Sequence, residues 1–292
     1  MHNPFPPTSE ALDEPSGLLA VGGDLEPNTL LCAYAQGIFP WFETDQEILW
    51  WSPDPRLTLK SDEIHISRSL RKATRQCGWR LQYDTAFADI MSHCAHADRN
   101  QPEPGTWITP DMQDAYCALH DLGVAHSVEI YEADTLIGGL YGILLGDMFF
   151  GESMFSLKSN ASKMAFVALS RLCRDHGIGV IDCQVHNEHL VSLGAQSMPR
   201  KDFENHLRDA IKTPMTDILA NPRCLLPEEP QALDKRFGTQ LAATLTAEAK
   251  ALEAEQLADA GELTDLINRL RDLTSTLEAT AQLRAATADR TG

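Results

Sequence analysis

Ile178-Gly-Val-Ile-Asp-Cys-Gln-Val185 is the stretch whose reading decides the fold. It is too apolar for an exposed edge and reads as a strand buried inside a sheet. Side chains along a strand alternate, so Asp182 and Gln184 share one face while Ile181, Cys183 and Val185 share the other. A carboxylate buried in such a strand costs several kcal/mol unless it is hydrogen-bonded. Asp182 is therefore either a structural acid that holds a loop or a functional one, and the strand by itself leaves both open.

Working outward, residues 161–176 read as a helix with Ser162 near its start, Gly177 just past its end and apolar residues at 161, 165, 168, 169 and 172. Before it, extended runs at 135–145 and 148–155 are joined by Gly146-Asp147, a hairpin turn. A further strand is expected at 126–132 and further helices at 66–75, 109–122 and 201–212. The order hairpin, long helix, buried strand, short helix resembles an acetyltransferase-like core with a mixed sheet. The fold class is thus α/β (α+β), with that core over residues 61–224.

The first 60 residues are rich in proline, glycine and tryptophan. They hold one helical stretch, Asn28–Gln36, stopped by Gly37, and are expected to form a small N-terminal domain that exits at Pro53-Asp-Pro55. From about Leu225 the composition shifts to alanine, leucine, glutamate and lysine. Leu263, Leu266, Leu270, Leu273 and Leu277 follow heptad spacing, and Leu241, Leu245 and Leu252 suit an earlier helix, with Gly261 as the break. Residues 225–292 are expected to be an acidic helical hairpin or a coiled coil, making the protein a monomer or a dimer through these helices.

With 292 residues, 43% of them hydrophobic, the chain can bury a substantial core. No apolar run approaches about 18 residues and the N-terminus lacks a signal-like pattern, so no membrane contact is expected and the location is read as cytoplasmic. Seven scattered cysteines with no C-x-x-C pair read as reduced thiols. The formal charge of −18 argues against a nucleic-acid partner, yet His65–Gln82 carries no acid at all. There Arg68, Arg71, Lys72 and Arg75 fall at helical spacings of three and four, so one face presents four cations to a phosphate backbone or simply to solvent.

A second constellation is Phe149-Phe-Gly-Glu-Ser-Met-Phe-Ser156, where Glu152 lies within a bulky apolar run. It suits either plain core or a pocket for an apolar side chain that carries a charged amino group. The tryptophans of Phe39-Pro-Trp-Phe42, Leu49-Trp-Trp-Ser52 and Gly105-Thr-Trp-Ile-Thr109 lie in loop-like contexts, where an aromatic face can stack on a base. Other patterns fail. Arg174-Asp-His-Gly-Ile-Gly179 has the R-x-x-G-x-G spacing of a pyrophosphate loop but follows a helix and enters a strand, the reverse of what phosphate binding at a helix N-terminus needs. His93 and His96 with Asp98, and His186 with His189, lack the spacing of a metal site, so no metal is expected. There is no G-x-S-x-G elbow.

Taken together, GGDL (22–25), GIFPWF (37–42), LWWSPDPR (49–56), HISRS (65–69), GTWIT (105–109), GESMFS (151–156), NASK (160–163) and IDCQV (181–185) resemble, in order, the leucyl/phenylalanyl-tRNA–protein transferase family. The resemblance implies transfer of leucine or phenylalanine, less well methionine, from aminoacyl-tRNA to proteins that begin with Arg or Lys, marking them for degradation. Such a donor is already an activated ester, so no cofactor, metal or enzyme nucleophile is expected. By the same resemblance Asp182, Gln184 and Glu152 are catalytic: Gln184 meets the reacting amine or ester, Asp182 holds and polarises its amide, and Glu152 orients a charged amino group of donor or acceptor. Trp41 and Trp107 are expected to flank the terminal adenosine of the tRNA. Leu140, Phe149, Met154, Phe166 and Ile181 are expected to form the amino-acid pocket, which admits unbranched or γ-branched side chains more easily than β-branched ones.

Two other readings compete. A cell-wall precursor aminoacyltransferase would share the core and the tRNA donor but generally carries two such cores. A noncatalytic reader of cationic protein N-termini would use Glu152 and Asp182 only as a clamp.

Overall fold

The computed structural model describes residues 3–44, 46–97 and 107–226, all within the compact unit Met1–Gln231. The proposed helical extension lies outside the described residues, apart from its first two positions. The chain begins with β1 (Leu18–Val21), α1 (Pro27–Tyr34), β2 (Phe39–Pro40) and β3 (Leu49–Trp51), whose strands form a three-stranded sheet in the order β1-β3-β2. α1 starts on a proline at its first turn, a position that needs no backbone N–H, and it ends just before Gly37, whose φ of +75° favours glycine. Trp50 is buried edge-on against Phe5 and donates its indole N–H to the Gly22 carbonyl at 2.8 Å. The Leu49-Trp-Trp-Ser52 tryptophans are thus strand residues rather than loop residues.

The next elements are β4 (Arg56–Lys60), α2 (Arg68–Gln76), β5 (Arg80–Tyr83), α3 (Phe87–Ala95) and α4 (Pro110–Asp121). They are followed by β6 (Ala125–Glu132), β7 (Thr135–Leu145), β8 (Met148–Ser156), α5 (Ala161–Asp175) and β9 (Val180–Gln184). The described chain closes with α6 (Glu188–Val191), β10 (Gln196–Met198), α7 (Arg200–Ile211) and α8 (Met215–Ala220). One mixed sheet takes the order β10-β4-β9-β8-β7-β6-β5. The expected mixed α/β fold is present, and the order hairpin, long helix, buried strand, short helix holds as β7–β8, α5, β9 and α7, with α6 and β10 lying unforeseen between the last two.

β9 lies near the middle of the sheet, parallel to β8 and antiparallel to β4. Hence its residues 181–184 are all buried, as its apolar sequence demanded. α5 turns Ala161, Ala165, Phe166, Leu169 and Leu172 inward, a stripe at three-four spacing whose larger members each contribute about 1.5–3 kcal/mol by burial. α3 docks on β7 through Ile90 at Gly139, where a Cβ would collide with Ile90 and with the Val128 carbonyl.

The feature that makes a site is a fork. β8 and β9 pair only over Met148–Phe150 and Val180–Asp182. β8 then runs on to Ser156 alongside β7, while β9 stays with β4 as far as Gln184. Beyond the fork Gln184 adopts φ +63°, a left-handed conformation unusual for a side chain with a Cβ. That turn ends the strand and leads the chain toward α6.

Candidate active site

A cavity of about 1070 Å³ opens where β8 and β9 part. Glu152, Asp182 and Gln184 lie on its wall, together with Trp41, Trp107, Leu140, Met154 and Phe166. Phe149 and Ile181, expected in the amino-acid pocket, are not on that wall. They face each other in register on the paired part of the two strands, below the fork, and are sealed in the core. The basic helix α2 bears Arg68, Arg71, Lys72 and Arg75, all exposed, and is held down by Leu70 alone among its buried residues. None of these four cations is on the cavity wall.

The polar floor of the cavity is one continuous hydrogen-bonded network. The Gln184 side-chain amide donates to Glu152 Oε1 at 2.8 Å, and the Tyr116 hydroxyl reaches Glu152 Oε2 at 3.3 Å. Tyr116 in turn shares a hydrogen bond with the Tyr34 hydroxyl. Burial is the main force on Glu152 and pushes its carboxyl up to about 8, opposed by the Tyr34 hydrogen bond, reinforced by the Asp182 charge, and opposed again by Tyr116 and Arg56. Burial also holds both phenols well above their usual range, so they remain donors.

The Gln184 side-chain amide bonds Glu152 and not Asp182, contrary to expectation. Its Oδ1 accepts the Gln184 backbone N–H at 2.9 Å, and its carboxylate is gripped by Arg56 through Nε at 2.8 Å and Nη2 at 2.7 Å. The left-handed turn at Gln184 breaks strand alternation and carries its side chain toward Glu152 instead. Arg56 also donates to the Gly37 carbonyl at 3.0 Å and lies between the rings of Phe39 and Phe203, 4.8 and 4.6 Å from their centroids. Its charge thus ties together the GIFPWF segment, β4, β9 and α7.

Arg56 was missed in the sequence reading, where it stood only as the last letter of LWWSPDPR. Its signal was available: an arginine opening an apolar run, Arg56-Leu-Thr-Leu59, is well suited to meet a buried acid. Tyr34 and Tyr116 carried no comparable signal, because a tyrosine on an amphipathic helix is ordinarily core. Trp41 is exposed at the rim and lies 5.7 Å from Trp51, whose indole donates to the Trp41 carbonyl at 2.6 Å. His186 pairs with Glu188, and among the described residues no group of three His, Cys, Asp or Glu side chains is arranged to hold a metal ion.

An activated acyl group suits this arrangement: an apolar pocket, a buried carboxyl and amide at its floor, and aromatic faces at its rim. The family profile described as leucyl/phenylalanyl-tRNA protein transferase matches residues 58–208, and that of its N-terminal domain matches residues 23–54. A leucyl/phenylalanyl-tRNA–protein transferase of Xanthomonas campestris pv. campestris (strain B100) is 48% identical over 83% of this chain and 92% of that protein. Its counterpart in Stutzerimonas stutzeri (strain A1501) is 53% identical over 70% of this chain and 89% of that protein. Among solved structures, a GCN5-related N-acetyltransferase from Kribbella flavida aligns with TM-score 0.30 and 9% identity over 57% of this chain and 59% of that one.

The protein is an aminoacyltransferase enzyme, with aminoacyl-tRNA and protein as its classes of substrate. The chain belongs to the leucyl/phenylalanyl-tRNA–protein transferase family. Among the described residues no helix is long and apolar enough to cross a membrane.

Proposed function

We propose that this chain transfers leucine or phenylalanine, and methionine less well, from aminoacyl-tRNA to the N-terminal Arg or Lys of acceptor proteins, in the cytoplasm, marking them for degradation. The observation that carries the assignment of roles is the Glu152–Gln184 hydrogen bond at the floor of a cavity with apolar walls. Leu140, Met154 and Phe166 take up the donor's side chain, and Trp41 and Trp107 take up its terminal adenosine. The exposed cations of α2 take up the tRNA backbone.

In the reaction the neutral amine of the acceptor attacks the ester carbonyl carbon. The carbon–nitrogen bond forms, the carbon–oxygen bond to the ribose breaks, and the proton lost by nitrogen ends on the departing ribose oxygen. Gln184 Nε2 is engaged by Glu152, which leaves its carbonyl Oε1 to accept a hydrogen bond from the attacking amine. Glu152 orients an amino group of one of the two substrates. An incoming cation offsets the desolvation that keeps its carboxyl protonated, so the charge forms when there is something to bind.

Asp182 is a positioning residue. It fixes the Gln184 backbone, while Arg56 neutralises its charge, so its effect on the reacting atoms runs through Gln184 geometry rather than through a negative potential. Bringing the amine and the ester together in one cleft supplies most of the rate advantage, since the ester needs no further activation. To test the proposal, Phe-tRNA is incubated with peptides that begin with Arg, Lys or Glu and the products are weighed by mass spectrometry. A phenylalanyl residue added to the first two alone supports it, and peptide binding without added mass would make the protein a reader.

A further inference from the structure

Twenty-six described residues form the wall of the cavity, and none of them is a lysine or an arginine. A tRNA donor nevertheless brings an internucleotide phosphate within one nucleotide of the ester, toward a floor that already holds Glu152 and Asp182. The cationisable side chains on the described wall are three histidines, His93, His96 and His189. Burial first and Lys163 second push the His189 imidazole below its usual range, which disfavours its cationic form.

His93 and His96 differ from it in place. His93 lies in the last turn of α3 and His96 is the residue that caps its C-terminus, and both line the cavity. His93 lies flat on the Phe155 ring, centroids 4.6 Å apart and planes 10° from parallel, which fixes its plane. His96 Nδ1 lies 2.7 Å from the Ser92 carbonyl, which can only accept, so Nδ1 is the donor and Nε2 is the atom left for a ligand. Ala97, directly after, and Trp107, at the entry to α4, also line the cavity.

We propose that His93 and His96 hold the phosphodiester that joins the last two nucleotides of the donor tRNA. The inference rests on the proposed function, because it takes Trp107 as one face of the adenosine site. A chain that leaves that site along the α3 side passes the two imidazoles first. The acceptor is the other candidate occupant, but its Arg or Lys is cationic and two imidazoles are a poor match for it. Phosphate oxygens only accept, so His96 Nε2 donates to one only as the imidazolium, with Nδ1–H kept on the Ser92 carbonyl, and the hydrogen bond so formed is charge-assisted.

Three phenylalanyl donors decide the matter: phenylalanyl-adenosine, a phenylalanylated cytidine–adenosine dinucleotide, and the same dinucleotide with a neutral methylphosphonate linkage. Each is assayed with wild type and with the His93→Gln/His96→Gln double variant, and the unfolding midpoints are compared to exclude misfolding. Wild type is expected to use the phosphodiester dinucleotide about tenfold or more better, in kcat/KM, than either other donor. The double variant should lose that preference while handling phenylalanyl-adenosine like wild type.

A double variant that keeps the full preference overturns the proposal, as does a wild type that treats phosphodiester and methylphosphonate alike, which would indicate stacking of the second base. An equal loss with all three donors also overturns it, since that is the mark of a structural role. A wild type inactive with every donor and with intact Phe-tRNA would overturn the proposed function as well, and so differs from failure of the histidine contact alone.

Discussion

Arg56 and Asp182, 126 residues apart in sequence, form a two-pronged ion pair in which neither side chain exposes more than 1% of its surface. The pair is the hinge pin of the site. Asp182 also accepts the Gln184 backbone N–H, so the conformation of the proposed catalytic amide depends on a charge supplied from β4.

Removing one partner leaves the other charge buried and unpaired. Asp182→Asn is expected to cost about 3–5 kcal/mol in chemical denaturation and to abolish transfer. The double change Arg56→Met/Asp182→Leu, which removes both charges, should recover much of the stability without the activity. Near-wild-type transfer by a stable Asp182→Asn protein would show that the pair has no part in positioning Gln184.

Glu152 yields a pH prediction of definite sign. Its carboxyl sits at about 8 in the folded protein against 4.5 for the ordinary group, so the folded state binds the proton more tightly than the unfolded one. The stability it contributes is greatest below pH 4.5 and declines as pH rises through 4.5 to about 8, by up to about 1.4 kcal/mol per pH unit. Glu129, buried and held by Ser127 and Thr85, is pushed up to about 7, chiefly by burial, and acts in the same direction. Glu152→Gln should therefore flatten the fall in melting temperature between pH 5 and 8 and eliminate transfer. An unchanged pH slope would mean that Glu152 is ionised in the free protein.

Gln184 separates conformation from chemistry. At φ +63° a glycine relieves a conformation that costs a residue with a Cβ about 1–2 kcal/mol, which offsets the lost hydrogen bond to Glu152. Gln184→Gly should accordingly unfold near the wild-type midpoint while transfer falls by a factor of about 100 or more, on the scale of losing a positioned polar group at a reacting centre. Retained transfer in this variant would remove Gln184 from the mechanism.

The basic face of α2 is exposed and touches the body through Leu70, so its charges can be changed without disturbing the core. Reversing Arg71 and Lys72 to Glu should weaken tRNA binding severalfold at low salt and reduce the slope of log affinity against log salt, with folding intact. Equal affinity and equal slope would assign the cluster to solvent.

Much of this architecture was legible in the sequence, for identifiable reasons. The long elements β6 to β9 and α4, α5 and α7 carry clean periodicity and bracketing turn residues, and Gly146 duly takes φ +57° at the hairpin. The elements not foreseen, β1 to β5, β10, α3, α6 and α8, are short and owe their form to neighbours. β4 opens on an arginine that makes sense only beside Asp182, and β5 is an edge strand whose four residues are all half-buried.

In the site, Asp182, Gln184 and Glu152 do share one cavity wall, but alternation along β9 could not foresee the left-handed turn that sends Gln184 to Glu152. Nor could it place Phe149 and Ile181, because the point at which β8 and β9 part is a property of the sheet. The network that tunes Glu152 comes from Tyr34 and Tyr116 on two separate helices, a relationship that no local pattern encodes.

The most direct test of the central claim follows the aminoacyl group itself. Phenylalanine-labelled Phe-tRNA is mixed with purified protein and an acceptor that begins with Arg, without ATP, and label is counted in the acceptor over time for wild type and for Gln184→Gly. The account predicts label at the acceptor N-terminus with wild type, matched by loss of charged tRNA, and almost none with the variant. Acceptor that binds yet remains unlabelled with wild type, or equal labelling by both proteins, would contradict it.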